Sequence, residues 1–184
     1  MIRDHFDDLP DWAFPEGFGM RPIRPGEGQV WEDIQREADP FLSAGEVLFD
    51  QEFGDDPVSA WQRVFLITDP EGRAVGTMGA WYDRSFLEED YGRIHWVATR
   101  PAFQGLGLAK ASLAEALGVL AQFHNKAYLS TNTTRVPAIA IYLNAGFFPH
   151  IASDSDRLAW SQVVPTMRKP EHRDLITKAV EEKM

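Results

Sequence analysis

The chain has 184 residues, no cysteine and a formal net charge of −10, so disulfides, thiolate metal sites and a cysteine nucleophile are excluded. The excess of acid argues against nucleic acid, whose binding needs clustered Lys and Arg, and the length suits one domain with a single core. No apolar run approaches the ~20 residues of a membrane span, and the opening MIRDHFDDLP lacks the apolar centre of a signal peptide. A cytoplasmic protein with neither a membrane nor a nucleic-acid partner is the expectation.

Residues 1–19 are rich in Asp, Pro and aromatic side chains and read as an irregular arm whose Phe6, Trp12, Phe14 and Phe18 pack onto the body of the domain. Residues 20–24 are the first predicted strand, and Pro25-Gly26-Glu27-Gly28 turns the chain into a helix over residues 29–38. That helix sets Val30, Ile34 and Ala38 on one face at a spacing of four. Between Asp39 and Ser59, the residues Leu42, Val47, Leu48 and Phe53 suggest a second short helix. Its other side is acidic, with Glu46, Asp50, Glu52, Asp55 and Asp56; such a run is commonly a solvated face, and turned inward it would attract an amine.

Residues 61–68 and 74–82 form a predicted hairpin around Asp69-Pro70-Glu71-Gly72, where proline presets φ and glycine supplies a positive one. Residues 83–92 read as a loop, and Ile94, His95, Trp96 and Val97 as a strand that stops at Arg100-Pro101. A helix over residues 106–122 carries Ala109, Leu113, Ala116, Leu117 and Leu120 on its core stripe. Residues 127–131 are a strand, and Thr134 is the predicted N-cap of a helix over residues 135–145, with Pro137 in its first turn and Gly146 at its C-terminal cap. Residues 147–151 and 158–164 are expected to close the sheet, and residues 169–183 to form a charged terminal helix.

The chemistry centres on Gln104-Gly105-Leu106-Gly107-Leu108-Ala109, a glycine turn that feeds a helix N-terminus. The first N–H groups of a helix have no internal partner and the dipole turns its positive end on them, which makes an anion site. A P-loop does not fit the spacing of Gly105, Gly107 and Lys110. A dinucleotide fold would place a third glycine at Lys110 and an acid where Asn132 ends the next strand. Alone, the two glycines imply no more than a tight turn.

The run Gln104-x-x-Gly107-x-Ala109 resembles the Gln/Arg-x-x-Gly-x-Gly/Ala signature of the GCN5-related N-acetyltransferase (GNAT) superfamily. The stretch from Pro137 through Tyr142 to Gly146-Phe147 resembles that family's second conserved block, and Pro101 sits where the family often has a proline. Two blocks in this order and at this separation are far more specific than either alone. The resemblance implies an α+β GNAT fold, with a central mixed, mostly antiparallel sheet, helices on both faces, and a splay between the family's fourth and fifth strands. Residues 20–168 would be the acetyltransferase domain and 169–184 a charged tail or helix.

The resemblance also implies acetyl-CoA as co-substrate, no metal, and direct transfer of an acetyl group to the primary amine of a small acceptor. The amides of Gln104, Gly105, Leu106, Gly107, Leu108 and Ala109 would hold the pyrophosphate, with Lys110 adding charge. Backbone groups of Val97, Ala98 and Thr99 would take the pantetheine arm, and a strand N–H there would polarise the thioester carbonyl. Asn132 stands in for an asparagine that the family often carries where this chain has Arg135.

Tyr142 matches the tyrosine that protonates the leaving thiolate in many members. A phenol near pKa ~10 donates to a thiolate near ~8.5 only with help from position. Many members use a glutamate as general base, and the position counted back from Gln104 is Arg93. Two residues on is His95, which titrates in the right range for a base or a relay, or else is a core histidine beside Trp96. Trp81, Tyr82 and Phe86 beside acidic residues point to an aryl or cationic amine. Arg93 in place of glutamate keeps a second option open, a domain that binds CoA or acetyl-CoA as a sensor without turnover. Dimers are common in the family, which leaves a homodimer open as well.

Overall fold

A computed structural model describes residues 1–39, 42 and 48–182. The chain runs β1 (Ile2–Arg3), β2 (Gly19–Pro22), α1 (Gly28–Ala38), α2 (Phe49–Phe53), α3 (Pro57–Arg63), β3 (Val64–Thr68), β4 (Ala74–Phe86), β5 (Glu89–Thr99), α4 (Leu108–Leu120), β6 (Ala127–Tyr128), α5 (Val136–Asn144), α6 (Asp154–Val163) and α7 (Pro170–Glu181). The strands form one open sheet in the order β1-β6-β5-β4-β3-β2. Neighbours are antiparallel except β5 and β6, which run parallel.

Helices cover both faces, as the sheet's inward residues require. On one face Leu113, Leu117 and Leu120 of α4 pack with Met78, Ala80, Ile94 and Phe147. On the other, Trp31 and Ile34 of α1 and Phe53 of α2 pack with Val64, Leu66 and Ala98. The helix stripe expected on α4 is the one observed, since Leu113, Ala116, Leu117 and Leu120 are fully buried. On α1 the buried stripe centres on Trp31, Ile34 and Gln35, with Val30 and Ala38 at its edges.

Several elements differ from expectation, each for a local reason. Trp61 belongs to α3 and not to a strand: Asp56 accepts from the Ser59 amide at 3.1 Å and Pro57 opens the helix, a strong start signal. The stretch read as a loop from Asp83 to Gly92 is a continuous hairpin, paired as far as Phe86↔Glu89. Its two-residue turn is Leu87-Glu88, both at positive φ (52° and 62°). Such turns normally announce themselves with Asn or Gly.

Residues 158–164 do not close the sheet. They lie largely in α6, which Ser153 caps by accepting from the Asp156 amide. Its Trp160 and Val163 pack with Ile176 of α7 and with Ile139 and Leu143 of α5, a third layer beyond the sheet. Residues 147–151 add only an isolated bridge, Ile2↔Phe148.

The opening segment is not wholly irregular, because Ile2–Arg3 supplies an edge strand to β6. Phe6 and Trp12 pack on the α4 side of the core, and Phe14 and Phe18 lie beside Leu108. Thr134 is not the N-cap of α5. Arg135 is, without a side-chain bond, while Thr134 donates its hydroxyl to Asn132 at 2.9 Å. Gly146 does follow the helix at φ 77°, where a Cβ would strike the Arg3 guanidinium. Glu46 and Val47 of the expected second helix, and Lys183 at the end of the terminal one, lie outside the described residues. Among the described residues no helix is long and apolar enough to cross a membrane.

Candidate active site: the cleft where two strands part

β5 and β6 pair only at Gly92↔Ala127 and Arg93↔Tyr128. Past Arg93 they diverge, and residues 94–99 and 129–132 become opposite walls of a cleft of about 810 Å³. Parallel strands that separate in mid-course leave backbone donors and acceptors facing a gap, which a third extended chain can occupy.

The β5 wall is distorted where the gap opens. The register slips between Thr77 and Gly79, so Met78 faces both Trp96 and Val97, and Trp96 takes φ 48°. That value is an outlier for so bulky a residue. The distortion is held in place. The Trp96 carbonyl accepts from Thr77 Oγ1 at 2.7 Å and from Gln35 Nε2 at 3.0 Å, and Gln35 Nε2 also donates to Thr77 Oγ1 at 2.7 Å. Gln35 and Thr77 are buried, and these bonds give each group the partner that burial demands. A bulge of this kind withdraws backbone groups from the ladder and re-aims them, here at the level of the gap.

At the far end of the cleft stands the glycine turn. Gly105 and Gly107 lie at φ 81° and 84°, and α4 starts at Gly107 with no side-chain cap. The amides of Gly105, Leu106, Gly107, Leu108 and Ala109 donate to no backbone carbonyl among the described residues. Nothing lies within 4 Å of a Cβ built at either glycine. An open nest of unpaired N–H groups on a helix N-terminus fits a diphosphate. Gln104 turns its side chain back to the Thr99 carbonyl at 3.1 Å, tying the turn to the strand end. Lys110 is spoken for by Trp12, its ammonium 5.2 Å over the ring.

The opposite wall brings Tyr142 and Asn132 to the same cleft. Tyr142 is mostly buried, and its hydroxyl makes no hydrogen bond among the described residues. Burial pushes its pKa up, with Arg135 opposing, so the phenol keeps its proton at neutral pH. Asn132 accepts with Oδ1 from the Thr134 amide at 2.9 Å, which leaves its Nδ2 for the cleft. Arg135, also in the wall, is paired with Asp39 at 2.6 Å.

His95 completes the β5 side. It packs edge-on to Phe53 at 6.0 Å, and its Nε2 lies 3.4 Å from Glu52 Oε2. The same carboxylate oxygen accepts from the Trp96 indole at 2.8 Å. Burial pushes the His95 pKa down to about 3, with the Arg93 charge adding to the effect. The partly exposed Glu52 shares its charge with the indole and does not reverse this. His95 is therefore neutral at physiological pH and does not titrate in the range expected of it from sequence, because burial holds its proton affinity down. Glu52 is the carboxylate in contact with it.

The structure thus gathers Val97, Ala98, Thr99, Gln104, Ala109, Asn132, Tyr142 and His95 around one cleft. Gly105, Leu106, Gly107, Leu108 and Lys110 stand at its mouth, outside the lining, with Lys110 over Trp12. Gln35 and the part played by Glu52 were missed from sequence. Gln35 had one signal, a lone amide on the apolar face of α1. Among the described residues no group of three His, Asp or Glu side chains is placed to hold a metal.

Comparison with known proteins agrees with this geometry. The profile of the Acetyltransferase (GNAT) family matches residues 29–147. A mycothiol acetyltransferase of Streptomyces griseus is 27% identical over 147 residues, covering 78% of this chain and 47% of its own length. The chain thus spans about half the length of the curated relatives it matches. Among solved structures, a GCN5-related N-acetyltransferase from Sphaerobacter thermophilus superposes with a TM-score of 0.60 at 22% identity, over 71% of this chain and 41% of that one. Spermidine N-acetyltransferase from Vibrio cholerae, in complex with CoA and spermine, superposes with a TM-score of 0.57 at 15% identity, over 74% and 84%. With two parting strands, an uncapped glycine turn and a matching profile over most of its length, the chain belongs to the GNAT family of acetyltransferases.

Proposed function

We propose that this chain transfers an acetyl group from acetyl-CoA to the primary amine of a small acceptor, by direct attack and without a covalent enzyme intermediate. The observation that carries the reading is the continuity of one cleft. Gln104 and Ala109, which bracket an open amide nest, lie at one end, a bulged strand in the middle, and Tyr142, whose hydroxyl bonds no described residue, in the opposite wall. CoA-bound relatives of the same fold support it.

Acetyl-CoA supplies an activated acyl group on a thiol leaving group; the chain's residues do the rest. The amides of Gly105 to Ala109 neutralise the diphosphate. Backbone groups of Val97, Ala98 and Thr99 align the pantetheine, and an N–H freed at the bulge polarises the carbonyl oxygen. An alkylammonium near pKa ~10 must lose a proton before it attacks. Neutral His95 is too weak a base to hold that proton, so it serves as a relay, accepting at one ring nitrogen as the other passes a proton to Glu52, 3.4 Å away. As the C–N bond forms and the C–S bond breaks, Tyr142 gives its proton to the thiolate and regains one from the nitrogen by way of solvent. One proton is released in net.

Beside His95 the cleft is walled by Trp96 and Leu42, with Glu52 held against the Trp96 indole, which supports a small amine with an apolar body. Trp81, Tyr82 and Phe86 do not line it, being packed on Phe53, bonded to Asp56 and stacked on Tyr128 respectively. A specific observation favours one rival: Arg93 stands where a base is expected, as in a domain that binds acetyl-CoA without turnover. CoA release measured over a panel of amines, with Tyr142→Phe alongside, decides between them. Turnover that drops in the variant supports the transferase. Tight binding of acetyl-CoA with no acceptor acetylated would replace it with the sensor.

A further inference from the structure

The side chain at the expected base position has chemistry the reaction does not use. Arg93 stands opposite Trp81 and His95 opposite Gly79 in the β4/β5 register, so both project from one face of the sheet, about 7 Å apart along the strand. Both line the cleft. The Arg93 guanidinium lies over the Tyr128 ring at 5.5 Å. Its Nε is buried with no hydrogen-bond partner, an unusual state for a group so costly to leave unmet. No carboxylate among the described residues approaches it within ion-pair distance. Asp83, whose ionisation feels its charge, is occupied by the Tyr128 hydroxyl at 2.8 Å and by the Ser85 amide at 3.0 Å. The other guanidinium in the wall, Arg135, already has Asp39.

The His95 end of the cleft is therefore polarised across about 7 Å, with the Glu52 carboxylate beside His95 on one side and, on the other, a guanidinium that forms no ion pair among the described residues. A polycation would set positive charge against Arg93. We propose that the acceptor is a zwitterion of the amino-acid type, whose ammonium faces His95 and Glu52 while its carboxylate pairs with Arg93. A carboxylate is favoured over a phosphate monoester because one guanidinium, with Asp83 nearby, suits a monoanion better than a dianion. This rests on the transferase reading above and narrows its substrate class.

The test uses matched acceptors with acetyl-CoA saturating: phenylalanine, phenylalaninamide, phenethylamine, phosphoethanolamine and spermidine. Wild type should prefer the carboxylate over its carboxamide by about 10- to 100-fold in kcat/KM, the worth of a charge-assisted hydrogen bond. Arg93→Gln should bring that ratio close to one, and Arg93→Lys should restore part of it. Faster turnover of spermidine or phenethylamine than of phenylalanine, or a preference that survives Arg93→Gln, would overturn the assignment, and a preference for phosphoethanolamine would replace carboxylate with phosphate. If no acceptor turns over, calorimetry with N-acetylphenylalanine and its carboxamide reads the anion contact without chemistry. Selective, Arg93-dependent binding of the acid would then sustain the site while the transferase reading fails, and equal binding of both would sink it.

Discussion

At its loop end the cleft is made of consecutive backbone amides from one turn, whereas at the His95 end it is assembled from side chains on α1, α2, β4 and β5. The loop end needs only that glycine stand at two positions of positive φ. The other end depends on contacts over long reaches of chain: Trp96 is 61 residues from Gln35 and 44 from Glu52. A backbone site constrains few residues and binds what is constant in a reaction. A side-chain site constrains many, and serves what differs from one enzyme to the next.

Tyr142 lies between the two ends and should give the largest effect. Tyr142→Phe is expected to lower kcat by about 100-fold with little change in the KM for acetyl-CoA; steady-state kinetics that show KM alone rising would make it a packing residue. At the His95 end, acid should cost stability. The folded pKa of about 3 lies below the usual 6.5, so the unfolded chain takes up the proton first. The contribution is full above about pH 7 and is lost as pH falls, by about 2–3 kcal/mol between pH 7 and 4.5. Urea unfolding at those two pH values measures it, and His95→Gln should flatten the difference.

The loop end should answer to Gly107 through affinity more than turnover. Gly107→Ala places a Cβ in the open nest at φ 84° and should weaken CoA binding about tenfold by calorimetry, while costing about 1 kcal/mol of stability. Gln35→Leu should do the reverse, lowering kcat several-fold with CoA affinity kept. If Gln35→Leu also weakened CoA about tenfold, the two ends would not be separable.

Most of what the sequence made legible was local. The glycine turn, the stripe of α4 and the block that ends at Gly146-Phe147 each announce themselves within a dozen residues, and with them the fold. The β4–β5 hairpin did not, because Leu87 and Glu88 occupy a turn whose usual residues are Asn and Gly. α6 did not either, since Leu158, exposed on its outer side, masked the helical spacing of Trp160, Val163 and Met167. In the site, His95 and Tyr142 were found through neighbours in sequence. Gln35 was not, because an amide on a helix face is silent about the distant carbonyl it will meet. Arg93 was visible only as a departure, and its environment came from Tyr128 and Asp83 on other strands.

The brevity of the β5–β6 pairing has a further consequence. Two paired positions, succeeded by a run of strand amides that answer to no neighbouring strand on one side, leave an edge in the middle of the sheet. Without ligand those amides should trade their hydrogens for deuterium far faster than the flanking β3 and β4. A pantetheine arm laid in the gap would stitch that edge shut. The same sheet would then unfold as one body, and a bound coenzyme would register as slowed exchange well before any product is made.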